Sequence, residues 1–190
     1  VTDPFTKEAK FDFALFRKHV RLAQRLMDDL IDLEREKIQA ILAKIKNDPQ
    51  DEETKRTERK LWEKIDVKCR EGRRTGLGIT AEGDMLAGLG LRYGNEDAIQ
   101  FAVEVQKILC LTAYRSSVEM ARERGAFEVY DAEREKHNPF ILRIKEADHV
   151  FYEEMAKYGR RNIACLTIAP TGTTSLMTQT TSGIEPVFKP

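Results

Sequence analysis

The sequence predicts an α/β chain, mostly helical with a few parallel strands, and three features point there. Long stretches repeat apolar residues at spacings of three and four, as amphipathic helices do. One short run, Ile163-Ala-Cys-Leu-Thr-Ile-Ala169, is almost continuously apolar and sharply bounded, the pattern of a buried parallel strand. That run passes directly into a Thr/Gly/Ser turn and a further helical pattern.

The first helix starts at about Asp12, with Phe16, Val20, Ala23, Met27 and Leu30 as its inner stripe. His19 lies beside that stripe and reads as a partly buried histidine rather than a ligand. From Glu34 to Arg74, 23 of 41 residues are charged. A narrow stripe of Ile38, Ile41, Leu42 and Ile45 still runs through it and stops at Asn47-Asp48-Pro49. A second charged helix follows, with Leu61, Trp62, Ile65 and Cys69 inward and Gly72 as its stop. Glu52–Arg56 and Asp66–Arg70 are spaced to support it. Both signs of charge interleave, which favours a solvated helical hairpin over a nucleic-acid arm. Residues 34–72 are thus expected to be a charged helical insertion within a single domain fragment spanning 1–190.

Residues 73–90 read as a short strand or extended turn entering a helix, with Thr80 as N-cap and Gly90 as stop. Gly76, Gly78 and Gly83 do not make a dinucleotide fingerprint, because the third glycine comes too late. Packing or close backbone approach is the better account of them. Asn95 opens the next helix, whose face carries Ala98, Ala102, Val105, Leu109, Ala113, Ser116 and Met120, and Gly125 ends it. After a loop containing Asn138-Pro139, one helix is expected near 145–158, ending at Gly159.

Composition narrows the function classes. The 190 residues include 32 basic and 32 acidic side chains, so no global field draws a nucleic-acid polymer or an anionic membrane. No stretch approaches the roughly 20 apolar residues that cross a bilayer. The opening Val-Thr-Asp-Pro-Phe lacks an initiator methionine and reads as the middle of a longer chain. Cys69, Cys110 and Cys165 are odd in number, far apart and without a CxxC pair. They argue against a disulfide framework or zinc site, for three buried thiols, and for the reducing cytoplasm.

The turn Pro170-Thr-Gly-Thr-Thr-Ser175 carries the chemistry. A helix's first backbone N–H groups are free and its dipole favours an anion. Gly172 would let a ligand approach the backbone, while Thr171, Thr173, Thr174 and Ser175 add hydroxyls. A phosphate cradle and an ordinary connection whose hydroxyls merely cap the helix both fit these residues. It is not a Walker A loop, since no lysine follows. Glu146-x-x-His149 has the spacing of half a di-iron site, but no second pair accompanies it, so coincidence on an exposed helix is preferred. Asp28 and Asp32 share a helix face and read as solvated. No Ser/His/Asp or Cys/His set assembles, so no catalytic or metal-binding residue is assigned.

Three blocks in order, Arg73-Arg-Thr-Gly-Leu-Gly78, Ala121-Arg-Glu-Arg-Gly-Ala-Phe127, and Arg161-Asn162 leading to Ala169–Ser175 and Ser182-Gly-Ile-Glu-Pro186, closely resemble the ribonucleotide reductase large chain. They match the C-terminal half of its catalytic barrel over about residues 70–188. The resemblance implies a ten-stranded α/β barrel in a parent protein of which this chain is a part. It implies thiyl-radical reduction of a ribonucleotide substrate at the 2′ position, with electrons from a cysteine pair and a dithiol reductant. Pro170, Thr171, Gly172, Thr173, Thr174 and Ser175 then correspond to the loop holding the substrate phosphates. The Pro-Thr-Gly-Thr form resembles the adenosylcobalamin-dependent branch more than the one using a di-iron radical subunit, and no cofactor is expected on this fragment. The family's radical cysteine and C-terminal redox cysteines have no counterpart here. The fragment alone is therefore expected to be inactive and to need the remainder of the parent chain. The competing expectation is a non-catalytic helical interaction or regulatory module with an incidental Thr-rich helix cap.

Overall fold

The computed structural model describes residues 1–187, so the last three residues of the expected fragment lie outside it. Eight α-helices stand among the described residues: α1 Phe13–Asn47, α2 Glu52–Gly72, α3 Glu82–Gly88, α4 Glu96–Arg124, α5 Ala132–Glu135, α6 Pro139–Ala147, α7 His149–Tyr158 and α8 Gly172–Thr178. The chain forms two compact units. One comprises Val1–Ala23, Gly76–Ala113 and the chain from Leu166 on; the other comprises Gln24–Thr75 and Tyr114–Cys165.

The expected parallel strands are not there. The described residues contain no sheet, only two isolated bridges, Thr2 with Lys10 (antiparallel) and Leu77 with Leu166 (parallel). The α/β expectation is corrected to a helical one. The reason lies in the run 163–169. Its apolar composition implies burial on both faces, yet Cys165 alone is fully enclosed, and Thr167, Ile168 and Ala169 are exposed, Ile168 by 67%. In one unit, Ile163 donates its N–H to the Gly72 carbonyl (2.9 Å) and Ala164 accepts from Thr75 (2.9 Å). In the other, Thr167 donates to Leu77 (3.0 Å). One neighbouring segment supplies these bonds, too few for a ladder.

Local chemistry sets most helix ends. Asp12 Oδ1 accepts from Leu15 N–H and opens α1, as the sequence indicated. α1 continues without a break into the charged segment and ends at Asn47, for 35 residues in all. Its buried face is also rotated from the expected stripe. Val20, Gln24, Asp28, Ile31, Ile38 and Ile45 are enclosed, whereas Leu30 is 46% exposed. Asp51 caps α2 by accepting from Thr54 N–H, and α2 buries no residue. Arg73 rather than Gly72 makes its left-handed C-terminal turn (φ 44°). Asp66 pairs across to Arg35 (3.0 Å) and Arg70 with Glu128 (2.7 Å), in place of the expected Asp66–Arg70 pair. Glu52 takes Lys55 rather than Arg56.

The single helix expected over 145–158 is two. Asp148 adopts an extended conformation and caps α7 by accepting from Phe151 N–H, which separates α6 from α7. Asn138 caps α6, with Pro139 in its first turn. Gly159 ends α7 at φ 71°, with Ala126 Cβ 2.7 Å from where a Cβ would stand. On α4 most of the expected face holds: Ala98, Val105, Leu109, Ala113, Ser116 and Met120 are buried, while Ala102 is half-buried.

Candidate functional site

Thr171–Ser175 was expected to present free hydroxyls and N–H groups, and the structure divides those roles. Thr171 precedes α8 but makes no side-chain cap. Its hydroxyl oxygen turns inward, accepting from Gly183 N–H (2.6 Å) and bonding the hydroxyls of Thr80 (3.0 Å) and Ser182 (3.3 Å). Ser175 is buried; its hydroxyl donates to the Gly172 carbonyl (2.8 Å) and its N–H to Thr171 (2.7 Å). Those two residues fix the turn. Gly172, Thr173 and Thr174 are exposed, and their N–H groups are the donors the turn leaves free. No Cβ contact within 4 Å would arise at Gly172.

Residues on and just before α3 hold the same region, and of these the sequence did not single out Asp84. Thr80 is not an N-cap: Ala81 takes that place at φ 67°, and the Thr80 hydroxyl donates to the Thr181 carbonyl (3.0 Å). Asp84 and Thr181 bond reciprocally. Thr181 N–H donates to Asp84 Oδ2 (2.7 Å), and Asp84 N–H donates to Thr181 Oγ1 (3.2 Å). Gly83 is required by close approach, since a Cβ there would stand 2.8 Å from the Glu185 carbonyl oxygen. Gly78 likewise leaves only 2.6 Å to the Thr167 carbonyl oxygen. The expectation that these glycines serve close backbone approach is met. Their signal was the spacing; the partners around residues 167 and 181–186 lay beyond local reading. Together these segments wall a cavity of about 700 Å³ that Pro170, Gly172, Ser175, Thr181, Asp84 and Glu185 help line.

Glu82, at the start of α3, is 8% exposed. Its side-chain partner is Gln106, whose Nε2 stands 3.5 Å away, at the limit of a hydrogen bond. Burial raises its carboxyl above the usual carboxylate range, and the Gln106 bond opposes this. In the unfolded chain the proton leaves at about pH 4. Above that pH the unfolded state therefore binds fewer protons than the folded one, and stability falls as pH rises. Glu82→Gln should raise the melting midpoint at pH 7. The gain should vanish on approaching pH 4; a pH-independent gain contradicts the assignment.

In the other unit lies a buried ionic cluster. Asp28, read as solvated, is in fact 0% exposed. Its Oδ1 accepts from Arg73 Nε (2.8 Å) and Asn162 Nδ2 (2.9 Å), and its Oδ2 from Arg161 Nε (3.3 Å). Arg73 also donates to Asp32 (2.7 Å), and this bond holds the Asp32 carboxyl below its usual range. Arg161 reaches on to the carbonyls of Arg124 and Gly125. Asn162 is held by Ser117 and Gln24. Asp28, Asp29 and Asp32 lie close enough to share an ion, but arginines already occupy Asp28 and Asp32, and Asp29 pairs with Arg124.

The remaining candidates stay apart. Glu146 and His149 are exposed and belong to different helices, which supports coincidence. Cys165 is fully buried, as expected, while Cys69 and Cys110 are partly exposed. Burial, with Glu34 and Asp66 beside it, pushes the Cys69 thiol up.

Arg73, Arg124, and Arg161-Asn162 belong to the three sequence blocks singled out above, and all meet at Asp28. A family model described as "Ribonucleotide reductase, barrel domain" matches residues 2–190. The chain belongs to that family. It is 30% identical to the vitamin B12-dependent ribonucleoside-diphosphate reductase of Mycobacterium tuberculosis, over 89% of this chain and 21% of that protein. It is 29% identical to the enzyme of the same name from Thermoplasma acidophilum, over 94% of this chain and 18% of that protein. Against the ribonucleoside-diphosphate reductase subunit alpha of Chlamydia pneumoniae, identity is 29%, over 62% of this chain and 13% of that protein. The chain thus spans about a fifth of the length of the B12-dependent relatives it matches.

Proposed function

We propose that this chain is the phosphate-holding part of an adenosylcobalamin-dependent ribonucleotide reductase, in which Pro170–Ser175 receives the substrate's phosphates. The observation that carries the reading is the division of labour in that turn. Thr171 and Ser175 are spent on fixing it, which leaves the N–H groups of Gly172, Thr173 and Thr174 and the hydroxyls of Thr173 and Thr174 for a ligand. Pro170 leads the chain into it. Such donors suit a ribonucleotide's phosphate oxygens.

The parent would reduce ribonucleotides to deoxyribonucleotides by thiyl-radical chemistry. The names of the B12-dependent relatives support adenosylcobalamin as the radical source over a di-iron subunit. No described residue of this chain is assigned to hold that cofactor. Two of the chain's three thiols do not suit the redox steps, since Cys165 is enclosed and Cys69 is disfavoured as a thiolate. The radical thiol, the reducing pair and the dithiol reductant that restores it would come from the remainder of the parent and from outside it. No described helix is long and apolar enough to cross a membrane. Free thiols without a disulfide support a cytoplasmic setting for the parent. Residues 34–72, where α2 buries no side chain, are proposed as the charged insertion of the domain.

Gly172→Ala tests the turn. The new Cβ meets nothing within 4 Å, so folding should be unaffected, but it would occupy the space in which phosphate approaches the backbone. Pyrophosphate affinity measured by calorimetry should fall about tenfold, or about 1.4 kcal/mol. Unchanged affinity at unchanged stability would remove Gly172 from the site.

A further inference from the structure

Beside α3 lies a second cavity, of about 430 Å³, whose contents the phosphate reading does not use. Phe5, Phe11 and Phe16 contribute to its walls, with Met85 and Val105. Phe11 and Phe16 meet edge to face with ring centroids 5.2 Å apart. Two carboxylates, Glu82 and Asp84, also line it, and no lysine, arginine or histidine stands among the described lining residues. Asp84 is bonded to Thr181 N–H. Glu82 is more than nine-tenths buried, and its long bond to Gln106 leaves its acceptor capacity largely unused. A buried carboxyl with no basic side chain beside it is costly, and a cation is the ligand that removes the cost. Aromatic faces attract the same class of ligand through their quadrupoles. The volume falls within the range of small-molecule pockets.

We propose that this cavity binds a small organic ammonium ion with an apolar body, its charge on Glu82 and its body among the phenylalanines. The site is independent of the phosphate turn. Binding would pair the Glu82 carboxylate, satisfy its unused lone pairs, and bury the ligand's hydrocarbon part against Met85 and Val105.

Benzylammonium and its neutral counterpart benzyl alcohol test this by NMR titration at pH 7.5. The chain should be acetylated at Val1, because Val1 also lines the cavity and its own amine would compete. Benzylammonium should bind in the millimolar range, about tenfold more tightly than benzyl alcohol. It should shift the resonances of Phe11, Phe16 and Met85. Glu82→Gln should bring the two ligands to equal, weak affinity while leaving the circular dichroism spectrum unchanged. The proposal is overturned if benzyl alcohol binds the wild-type chain as tightly as benzylammonium, if neither binds, or if Glu82→Gln keeps the preference for the cation. Should that variant fail to fold, the wild-type comparison decides alone.

Discussion

Asp28→Asn should destabilise the chain by about 3–5 kcal/mol, the usual cost of removing one partner from a buried ion pair. The substitution keeps the volume and removes the charge, leaving the Arg73 guanidinium, 4% exposed, without its enclosed counter-ion. Asp32 cannot replace it, because its carboxylate is 47% exposed and already bonds a different nitrogen of Arg73. Arg161 loses its bond to Oδ2 as well. For a chain of this size the midpoint should fall by about 6–20 °C. Asp66→Asn provides the contrast. It breaks the more exposed Arg35–Asp66 pair and should cost no more than about 1 kcal/mol. Denaturant titrations of the two variants check the order, and equal costs would mean that the Asp28 cluster contributes nothing beyond a surface pair.

Gly78→Ala should have the next largest effect, about 1–3 kcal/mol from forced overpacking. The added Cβ would lie 2.6 Å from the Thr167 carbonyl oxygen, a backbone atom that no rotamer change can move. Relief requires the chain at 77–78 to part from 166–167, breaking the bond from Thr167 N–H to the Leu77 carbonyl. Residue 167 lies four positions before Thr171, so the disturbance should carry into the turn at 170–175. The variant is therefore expected to lose pyrophosphate affinity along with stability, whereas Gly172→Ala should lose affinity alone. A Gly78→Ala chain as stable as the parent would show that segment 77–78 moves freely.

These substitutions also mark where sequence reasoning worked and where it stopped. The face of α4 was legible because burial there follows the helix period from Ala98 to Met120, with Ala102 alone half-buried. The glycines at 78 and 83 were legible as points of close approach, although the atoms they approach were not. Asp28 was not legible. Its partners Arg73, Arg161 and Asn162 lie 45, 133 and 134 residues away, and no local pattern distinguishes an aspartate with buried partners from a solvated one. That same error displaced the inner face of α1, because hydropathy scores Gln24 and Asp28 as outward. The run 163–169 misled in the opposite direction. Apolar composition reports a tendency to be buried, whereas a strand also needs neighbours to bond, and the described residues provide one segment. In the turn, Gly172, Thr173 and Thr174 are exposed. The hydroxyls of Thr171 and Ser175 were drawn into its framework by Gly183, Thr80 and the Gly172 carbonyl.

The central claim is that the turn before α8 receives phosphate, and amide chemical-shift mapping with pyrophosphate tests it most directly. Helix-end electrostatics contribute about 0.3–1 kcal/mol, and each hydrogen bond to a charged group about 1.5–3 kcal/mol, before the cost of immobilising the ligand. No basic side chain is among the described residues lining the adjoining cavity, and Asp84 and Glu185 oppose an anion there. Binding should therefore be about millimolar and should weaken as salt rises. The amides of Gly172, Thr173 and Thr174 should shift most, and that of Ser175, already bonded to Thr171, much less. Shifts confined to the charged helices α1 and α2, with 172–174 silent, would contradict the claim and leave the turn as the start of a helix and nothing more.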